Sequence, residues 1–310
     1  MERPLFERSY SFLEKELFVI KGIDNTIASY GDDYLSFTEH HLERLFNYLG
    51  CDWLKYEQAC HSFVLLTFDV LKMYSHYQTR GEISPFSSKN HFEEVYEKQE
   101  LMQGQYLVGL YLSYVFWPNH FELISFYSDN YFPLLEDPAN LLDLGTGPGI
   151  NTVLARDRFP KLAITGVDIS PYAITMTRHM HDISAGRGDG KLVLCRSDAT
   201  KWLRNSDDRF DAVVMAGLLE HLEVPGQILE AIVDVIKPGG LVFATTATHS
   251  AFYDHSTVFR SVEEIENLIG SYGFDIKESK QVATYGNPNS GADEAVNYFA
   301  ILQHRKKASL

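Results

Sequence analysis

Three glycines at alternate positions follow a short apolar run in the stretch NLLDLGTGPGINT, residues 140–152. They are Gly145, Gly147 and Gly149, and Asp143 stands just before them. Glycines let the backbone pass close to a ligand, and an apolar run ahead of them is typical of a strand that turns into a helix. The segment therefore predicts a strand–turn–helix unit that holds a ligand. Two large classes of enzyme bind different cofactors in such a turn.

The spacing of the glycines distinguishes these two classes. Dinucleotide-binding turns carry the fingerprint GxGxxG, in which a third glycine or alanine lets the helix approach the strand beneath a pyrophosphate. In this chain Gly149 comes one position early, and Ile150 occupies the fingerprint position. The turn thus departs from the dinucleotide pattern. This motif alone is also compatible with two alternatives, namely a nicotinamide-dependent dehydrogenase and a doubly wound domain that binds no cofactor.

The GxGxG version of the turn, within LLDLGTGPG, resembles motif I of the class I S-adenosylmethionine-dependent methyltransferases. Four later segments resemble the same family, and they are LAITGVDISP, CRSDATKW, RFDAVVMAGLLEHL and IKPGGLVFATT. The resemblance covers about residues 123–303. It implies S-adenosylmethionine as the cofactor, and five motifs in register are far more specific than one glycine turn.

The resemblance also implies which residues hold the cofactor. Asp143 is expected to accept from the ammonium group of the aminoacyl arm. Asp168, at the end of the second strand, is expected to accept from both ribose hydroxyls, and the loop at Asp198 to meet the adenine amino group. The expected cofactor-binding residues are Asp143, Gly145, Thr146, Gly147, Gly149, Asp168, Ile169, Asp198, Ala199 and Ala216.

Candidate catalytic residues lie in GLLEHLEVP, directly after the fourth strand. Methyl transfer needs a base only if the acceptor must lose a proton. His221 is able to take a proton near neutral pH, with Glu220 orienting it, although a histidine that only packs there is equally compatible. The loop resembles the LEHV segment of the quinone-pathway O-methyltransferases, whose metal-binding glutamate is replaced here by Gly217. Together with the lack of an HExxH motif, this predicts no metal site.

A short helix ahead of the glycine turn, NHFELISFYSDNYF, is expected to lie over the aminoacyl end of the cofactor. His120, Tyr127 and Tyr131 are the candidates there. Aromatic faces attract a sulfonium by about 0.5–2 kcal/mol each and exclude water. The same tyrosines fit an ordinary hydrophobic core equally well. Two loops, Thr248–Thr257 and Thr284–Asp293, are candidates for closing over a substrate. The first carries three polar candidates, His249, Tyr253 and His255.

From Asn140 onward, short β-rich runs alternate with helical stretches, which predicts parallel strands joined by helical crossovers. The expected fold is α/β, with a doubly wound, Rossmann-like, seven-stranded methyltransferase sheet. Residues 1–118 are expected to form an all-helical, aromatic-rich lid and substrate domain, and residues 119–310 the cofactor-binding domain. The first 135 residues hold 28 of the 41 aromatic side chains, which favours an apolar lid.

Local signals predict the boundaries of several helices in the front section. Ser36 and Glu39 have capping-box spacing, which predicts a helix that starts there and ends near Gly50. Asp52 is expected to cap the next helix, and Gly81 to follow its end. A further helical pattern runs over residues 90–117 and stops at Pro118.

Charge and composition limit the partners. The formal net charge of −15 disfavours nucleic acid as a partner. The aromatic lid suits a small-molecule substrate better than a charged macromolecule. Three scattered cysteines and a charged amino terminus predict a reduced, cytoplasmic protein without a signal peptide. The stretch Leu101–Phe121 has no formally charged side chain, but its polar residues and Pro118 predict a buried core helix instead of a membrane span. The oligomeric state stays open, a homodimer included.

Three functions are compatible with these features. The first is a small-molecule methyltransferase whose acceptor lies under the aromatic lid. The second is a cyclase of methyltransferase-like fold, in which the α-amine of S-adenosylmethionine attacks its own Cγ to give azetidine-2-carboxylate and methylthioadenosine. A salt bridge from Asp143 disfavours it, because the amine must be deprotonated. The third is a non-catalytic binding module, which the intact glycines and acidic residues disfavour.

Overall fold

The structure is a computed structural model that describes residues 3–81, 102–183, 188–250, 252, 254–284 and 295–305. For residues 103 and 104 it describes the backbone only. The first part of the helix predicted over residues 90–117 lies outside the described residues. The same holds for Tyr253 and for most of the loop predicted at Thr284–Asp293.

Helices make up the described residues before the sheet. Asp52 caps α3 by accepting from the backbone N–H groups of Leu54 and Lys55, and Gly81 follows the helix in a left-handed conformation, as predicted. Pro118 separates α4 from α5 and stands in the first turn of α5. The elements are α1 (Pro4–Leu13), α2 (Leu17–Tyr48), α3 (Trp53–Arg80), α4 (Leu107–Phe116) and α5 (Pro118–Phe126), with single turns at Met102–Tyr106, Tyr127–Tyr131 and Phe132–Leu134.

The capping box predicted at Ser36 and Glu39 is wrong. Helix α2 runs through both positions and is interrupted only at Gly31, whose φ of 54° breaks the helical geometry. Glu39 caps a different helix, because its carboxylate accepts from the N–H groups of Leu5 and Phe6 at 3.1 and 2.7 Å in the first turn of α1. Glu39 therefore does cap a helix, but that helix is α1 and not the one predicted to start at Ser36.

The sheet has seven strands in the order β3-β2-β1-β4-β5-β7-β6. All neighbouring strands from β3 to β5 pair in parallel, and β7 runs antiparallel to both β5 and β6. The predicted Rossmann-like α/β fold is confirmed. The strands are β1 (Asn140–Leu144), β2 (Ala163–Asp168), β3 (Leu192–Arg196), β4 (Phe210–Ala216), β5 (Ile236–Ala247), β6 (Phe274–Ala283) and β7 (Val296–His304).

Helices cover both faces of this sheet because alternate strand residues point to opposite sides. Leu141 and Phe243 face one core. This core is shared with α6, with α7 and with the helices that precede the sheet (α1–α5), which are called the front helices below. Leu142 and Val242 face a second core built with α8, α9 and α10. The five helices that follow β1 are α6 (Ile150–Arg158), α7 (Pro171–Asp182), α8 (Ala199–Arg204), α9 (Gly226–Val235) and α10 (Val262–Ser271).

Helix α4 forms the middle of the uncharged stretch Leu101–Phe121. Nine of its ten residues are buried, and it packs against α2, α3 and α5, so it forms a core helix, as predicted. In the part of the chain that the structure describes, no helix is both long and apolar enough to cross a membrane.

Candidate active site

A cavity of about 790 Å³ lies at the carboxyl ends of the parallel strands. In a doubly wound sheet this edge, at the point where the strand order reverses, is where ligands bind. The front helices form the opposite wall, with apolar side chains of α3 and α4 facing the glycine turn. Of the residues predicted from sequence, the cavity is lined by Gly145, Thr146, Gly147, Asp168, Ile169, Asp198, Ala199, Ala216, Glu220 and His221.

The glycine turn adopts a backbone that other residues tolerate poorly. Gly145, Gly147 and Gly149 have φ values of 73°, 51° and 86°, all in the left-handed region. The N–H of Gly145 donates to the carbonyl of Val167 at 2.8 Å, which ties the turn to the end of β2. Alternate glycines thus give a tight turn whose backbone forms one wall of the cavity.

Gly149 also lies where α6 meets α7, and a side chain there has no room. A Cβ at this position would lie 2.8 Å from Cα of Thr177. We expect Gly149→Ala to lower the free energy of unfolding by about 1–2 kcal/mol for the left-handed conformation, and further for the clash. Urea unfolding measures the loss. The control is Gly239→Ala, since Gly239 has a φ of 87° but no atom within 4 Å of its Cβ position. Equal losses in the two variants would contradict the close approach.

Asp168 is held rigidly at the end of β2. Its Oδ2 accepts from the N–H of Gly147 at 2.9 Å and its Oδ1 from the N–H of Ser170 at 2.8 Å. Burial raises the pKa of this carboxyl to about 6, although the backbone donors oppose the shift. Each oxygen keeps a further lone pair for a ligand hydroxyl. Ser170 in turn caps α7, so the carboxylate and the next helix are positioned together.

Asp198 and Ala199 line the neighbouring part of the cavity, at the start of α8. The carboxylate of Asp198 accepts from the N–H of Lys201 at 2.7 Å and thereby caps this helix. The family resemblance implies a role in binding adenine, and the cap holds the side chain in the lining of the same cavity as Asp168. Both acidic positions therefore lie where one extended ligand can reach them.

Asp143 is fully buried at the end of β1 but does not line the cavity. Its Oδ2 accepts from the hydroxyl of Thr152 at 2.6 Å, while its Oδ1 lacks a hydrogen-bond partner among the described residues. Burial raises the pKa of this carboxyl to about 7. In this arrangement the carboxylate lies behind the glycine turn, so its direct contact with an ammonium group stays a prediction.

Tyr127 and Tyr131 lie away from the cavity. Their rings stack on each other with centroids 5.6 Å apart, and both pack on Phe243 of the sheet. The hydroxyl of Tyr131 donates to the backbone carbonyls of Val213 and Leu241. Both side chains are fully buried, so they belong to the core under the sheet and do not reach a ligand in the cavity. From the same predicted group, only His120 lines the cavity.

Glu220 and His221 form a single turn after β4 and face the cavity, as the sequence predicts. The Oε2 of Glu220 accepts from the hydroxyl of Thr246 at 2.8 Å. Burial disfavours the charged form of His221, but the carboxylates of Asp254 and Glu220 outweigh it and raise the pKa of His221.

The loop after β5 adds Asp254, which the sequence analysis did not name, and His255, which it named only as a polar group of a candidate lid. Asp254 accepts from the hydroxyl of Tyr106 at 3.1 Å, and its Oδ2 lies 3.5 Å from Nδ1 of His221. The ring of His255 is perpendicular to that of His221, with centroids 4.8 Å apart. This loop was predicted only as a candidate lid. Its His249, also considered there, does not line the cavity.

Comparison with known proteins decides the family. The methyltransferase domain family matches residues 117–279, slightly more than half of the chain. The chain is a member of the class I S-adenosylmethionine-dependent methyltransferases. This methyltransferase therefore takes S-adenosylmethionine as its cofactor, as the motifs predict.

The alignments with curated relatives cover only part of the chain and only part of each relative. Trans-aconitate 2-methyltransferase from Streptomyces coelicolor is 34% identical over 104 residues, or 34% of this chain and 33% of that protein. Ubiquinone biosynthesis O-methyltransferase from Xylella fastidiosa strain 9a5c is 30% identical over 109 residues, or 35% and 42%. The alignments thus span well under half of these curated relatives. Among solved structures, the chain is similar to the N-methyltransferase NodS from Bradyrhizobium japonicum in complex with S-adenosyl-L-homocysteine. The superposition covers 71% of this chain and 100% of NodS, with 16% sequence identity and a TM-score of 0.49.

The cavity of the methyltransferase fits this cofactor on two independent observations. The backbone of Gly145 and Gly147 forms a wall in a conformation that favours glycine. Asn151, in the first turn of α6, lines the cavity and is 3% exposed, and its Oδ1 has no hydrogen-bond partner among the described residues. A buried acceptor of this kind suits a ligand donor such as an ammonium group. The sequence signal for Asn151 was only its position directly after the glycine turn.

Proposed function

We propose that the protein transfers a methyl group from S-adenosylmethionine to a small-molecule acceptor bound under the front helices. One observation carries the proposal, namely that a single cavity joins the cofactor-binding strand ends to an apolar wall of α3 and α4. Residues of that wall include Leu66, Val70, Leu107, Leu110 and Tyr114. Donor and acceptor are thus able to lie side by side in one cavity.

On the strand side, the cofactor would be held by the turn at Gly145–Gly147, by Asp168 at the ribose and by the loop at Asp198. Asn151 would accept from its aminoacyl arm. When bound, S-adenosylmethionine supplies an electrophilic methyl group on a sulfonium. The protein's part is to fix this group at the junction between the strand ends and the apolar wall, because alignment alone contributes about 7–11 kcal/mol to lowering a barrier of this kind.

On the helical side, the wall selects the acceptor by polarity and size. Leu66, Leu107 and Leu110 offer apolar surface, which favours an aliphatic or aromatic acceptor and excludes water from the reacting atoms. The net charge of −15 disfavours a polyanionic acceptor. By name, the two curated relatives act on trans-aconitate and in ubiquinone biosynthesis, which supports a small-molecule acceptor here.

The cyclase is retained as a second candidate because of the position of Asp143. A cyclase needs the α-amine of the cofactor without its extra proton, and a salt bridge to a carboxylate would keep that proton in place. Asp143 lies behind the turn, whereas the groups that do line this region, Asn151 and His120, are neutral at physiological pH. Burial lowers the pKa of His120 to about 3. Neutral surroundings favour loss of the proton from the amine.

Incubation with S-adenosylmethionine alone, followed by mass spectrometry, separates the candidates. Methyl transfer predicts stoichiometric binding with little turnover until an acceptor is supplied, after which S-adenosylhomocysteine accumulates. The acceptor screen should start with apolar compounds that carry a hydroxyl, carboxyl or amino group. Rapid formation of methylthioadenosine with azetidine-2-carboxylate, and no acceptor, would overturn methyl transfer in favour of the cyclase. Binding without turnover across the whole acceptor screen would favour the non-catalytic module.

A further inference from the structure

The acceptor side of the cavity contains a group of side chains that cofactor binding does not require. One carboxylate oxygen of Glu220 and one ring nitrogen each of His221 and His255 lie within 4.8 Å of one another. All three side chains line the cavity. We propose that Glu220, His221 and His255 form a binding site for a divalent transition-metal cation.

The hydrogen bonds of the two histidines orient them as metal ligands. Nδ1 of His221 lies 3.1 Å from the backbone carbonyl oxygen of Asp254, and Nδ1 of His255 lies 3.1 Å from that of Ser250. A carbonyl oxygen only accepts, so in both rings Nδ1 carries the hydrogen, and in the neutral ring Nε2 keeps its lone pair. Metal-binding histidines are typically fixed in this way, with the second nitrogen bonded to a carbonyl or carboxylate.

Glu220 is fixed as firmly as the histidines. Its side chain is buried and its Oε2 is bonded to the hydroxyl of Thr246. Its backbone carbonyl accepts from the N–H groups of Ser256 and Thr257 at 2.8 and 2.9 Å. These two bonds connect the loop that carries His255 directly to the turn that carries Glu220 and His221. The three ligands are therefore positioned by one hydrogen-bonded unit.

Charge and donor type indicate the class of ion. Glu220 belongs to the group and the buried carboxylate of Asp254 lies beside it, 3.5 Å from Nδ1 of His221, and buried charges are costly unless a cation compensates them. Two imidazoles and a carboxylate suit Zn²⁺, Co²⁺ or Fe²⁺, whereas Mg²⁺ favours an all-oxygen set. The ligand atoms lie within 4.8 Å of one another. Tetrahedral bonds of about 2.0–2.2 Å would place them about 3.4 Å apart, so metal binding would draw the widest pair together by up to about 1.4 Å.

The proposed site differs from the expectation that this region binds no metal. The sequence prediction rested on Gly217, but the structure supplies His255 from the loop after β5. If the proposed methyl transfer holds, an ion here would bind an oxygen of the acceptor and lower the pKa of a bound hydroxyl. His221 would then act as a ligand and not as a base. The acceptor would be an apolar compound with a hydroxyl or carboxyl oxygen.

The test is a titration of the untagged full-length chain with Co²⁺ after treatment with EDTA, in the absence of S-adenosylmethionine. We expect one equivalent of Co²⁺ to bind, seen by calorimetry and by visible absorption, and Zn²⁺ but not Mg²⁺ to displace it. His255→Asn and His221→Asn should each weaken binding about tenfold or more. Because no cofactor is present, the result is independent of whether methyl transfer is found.

His249→Asn is the matched control. His249 belongs to the same loop but lies outside the cavity lining, and asparagine tolerates its φ of 50°. It should bind Co²⁺ like the wild type, and thermal unfolding checks that each variant is folded. Should His255→Asn fail to fold, Glu220→Gln and His255→Gln take its place. No Co²⁺ binding by the wild type, or binding that is unchanged in every ligand variant, overturns the proposal.

Discussion

Replacing Asp168 by alanine is expected to weaken the binding of S-adenosylmethionine by about 1–3 kcal/mol, or about 5- to 150-fold. The physical reason is that both ribose hydroxyls would lose their acceptor in a partly enclosed cavity. The variant also loses the bonds from the carboxylate to the N–H groups of Gly147 and Ser170, which hold the glycine turn in place. Isothermal titration calorimetry at pH 8 measures the change.

The pH dependence of this binding provides a second, sharper readout. Because burial holds the pKa of Asp168 near 6, the free carboxyl takes up a proton as the pH falls through that value. A protonated carboxyl accepts less well from a hydroxyl, so affinity should decrease below about pH 6. The Asp168→Ala variant should lack this component. Asp234→Ala, which removes an exposed carboxylate of α9, should bind like the wild type at every pH. Unchanged affinity in Asp168→Ala would place the cofactor elsewhere.

The turn and the acidic residue that line the strand side of the cavity could be located from sequence because their signals are local. Gly145, Gly147 and Asp168 are fixed by the end of a strand and the turn after it, and residue spacing encodes such turns directly. Alternation of strand and helix likewise predicted the sheet. Neither inference requires knowledge of which distant segments meet.

The side of the cavity proposed for the acceptor depends on contacts that residue spacing does not encode. His255 reaches Glu220 only because two backbone N–H groups of its loop bond to the carbonyl of Glu220. Tyr131 illustrates a different difficulty, since a buried aromatic residue suits both a cofactor cage and a core. The hydroxyl of Tyr131 forms hydrogen bonds with backbone carbonyls of β4 and β5, which shows that this side chain belongs to the core. Glu39 similarly caps a helix far away in the sequence.

Asp143→Asn is expected to stabilise the protein at pH 8, although it alters a residue of the cofactor motif. Burial raises the pKa of Asp143 from its ordinary value of 3.8 to about 7. The folded state therefore binds this proton more tightly than the unfolded state does. The resulting stabilisation is fully present below about pH 4 and is lost as the pH rises through about 7. At pH 8 the buried charge thus costs up to about 4 kcal/mol.

Asparagine removes this charge and keeps an oxygen that accepts from the hydroxyl of Thr152. Its amide group occupies the place of Oδ1, which has no partner among the described residues, and this costs about 1–3 kcal/mol. We therefore expect a net gain of about 1–3 kcal/mol at pH 8 and none at pH 5, where the aspartate itself is largely protonated. Urea unfolding at the two pH values measures the difference.

Asp211→Asn is the control, because here the opposite change in stability is expected. Lys237 and two backbone N–H groups outweigh desolvation and lower the pKa of Asp211. It should lose stability at pH 8. A gain for Asp143→Asn that is the same at pH 5 and pH 8 would mean that charge is not the cause. If the gain at pH 8 is accompanied by weaker binding of S-adenosylmethionine, the chain keeps a destabilising carboxylate behind its glycine turn because the cofactor site needs it.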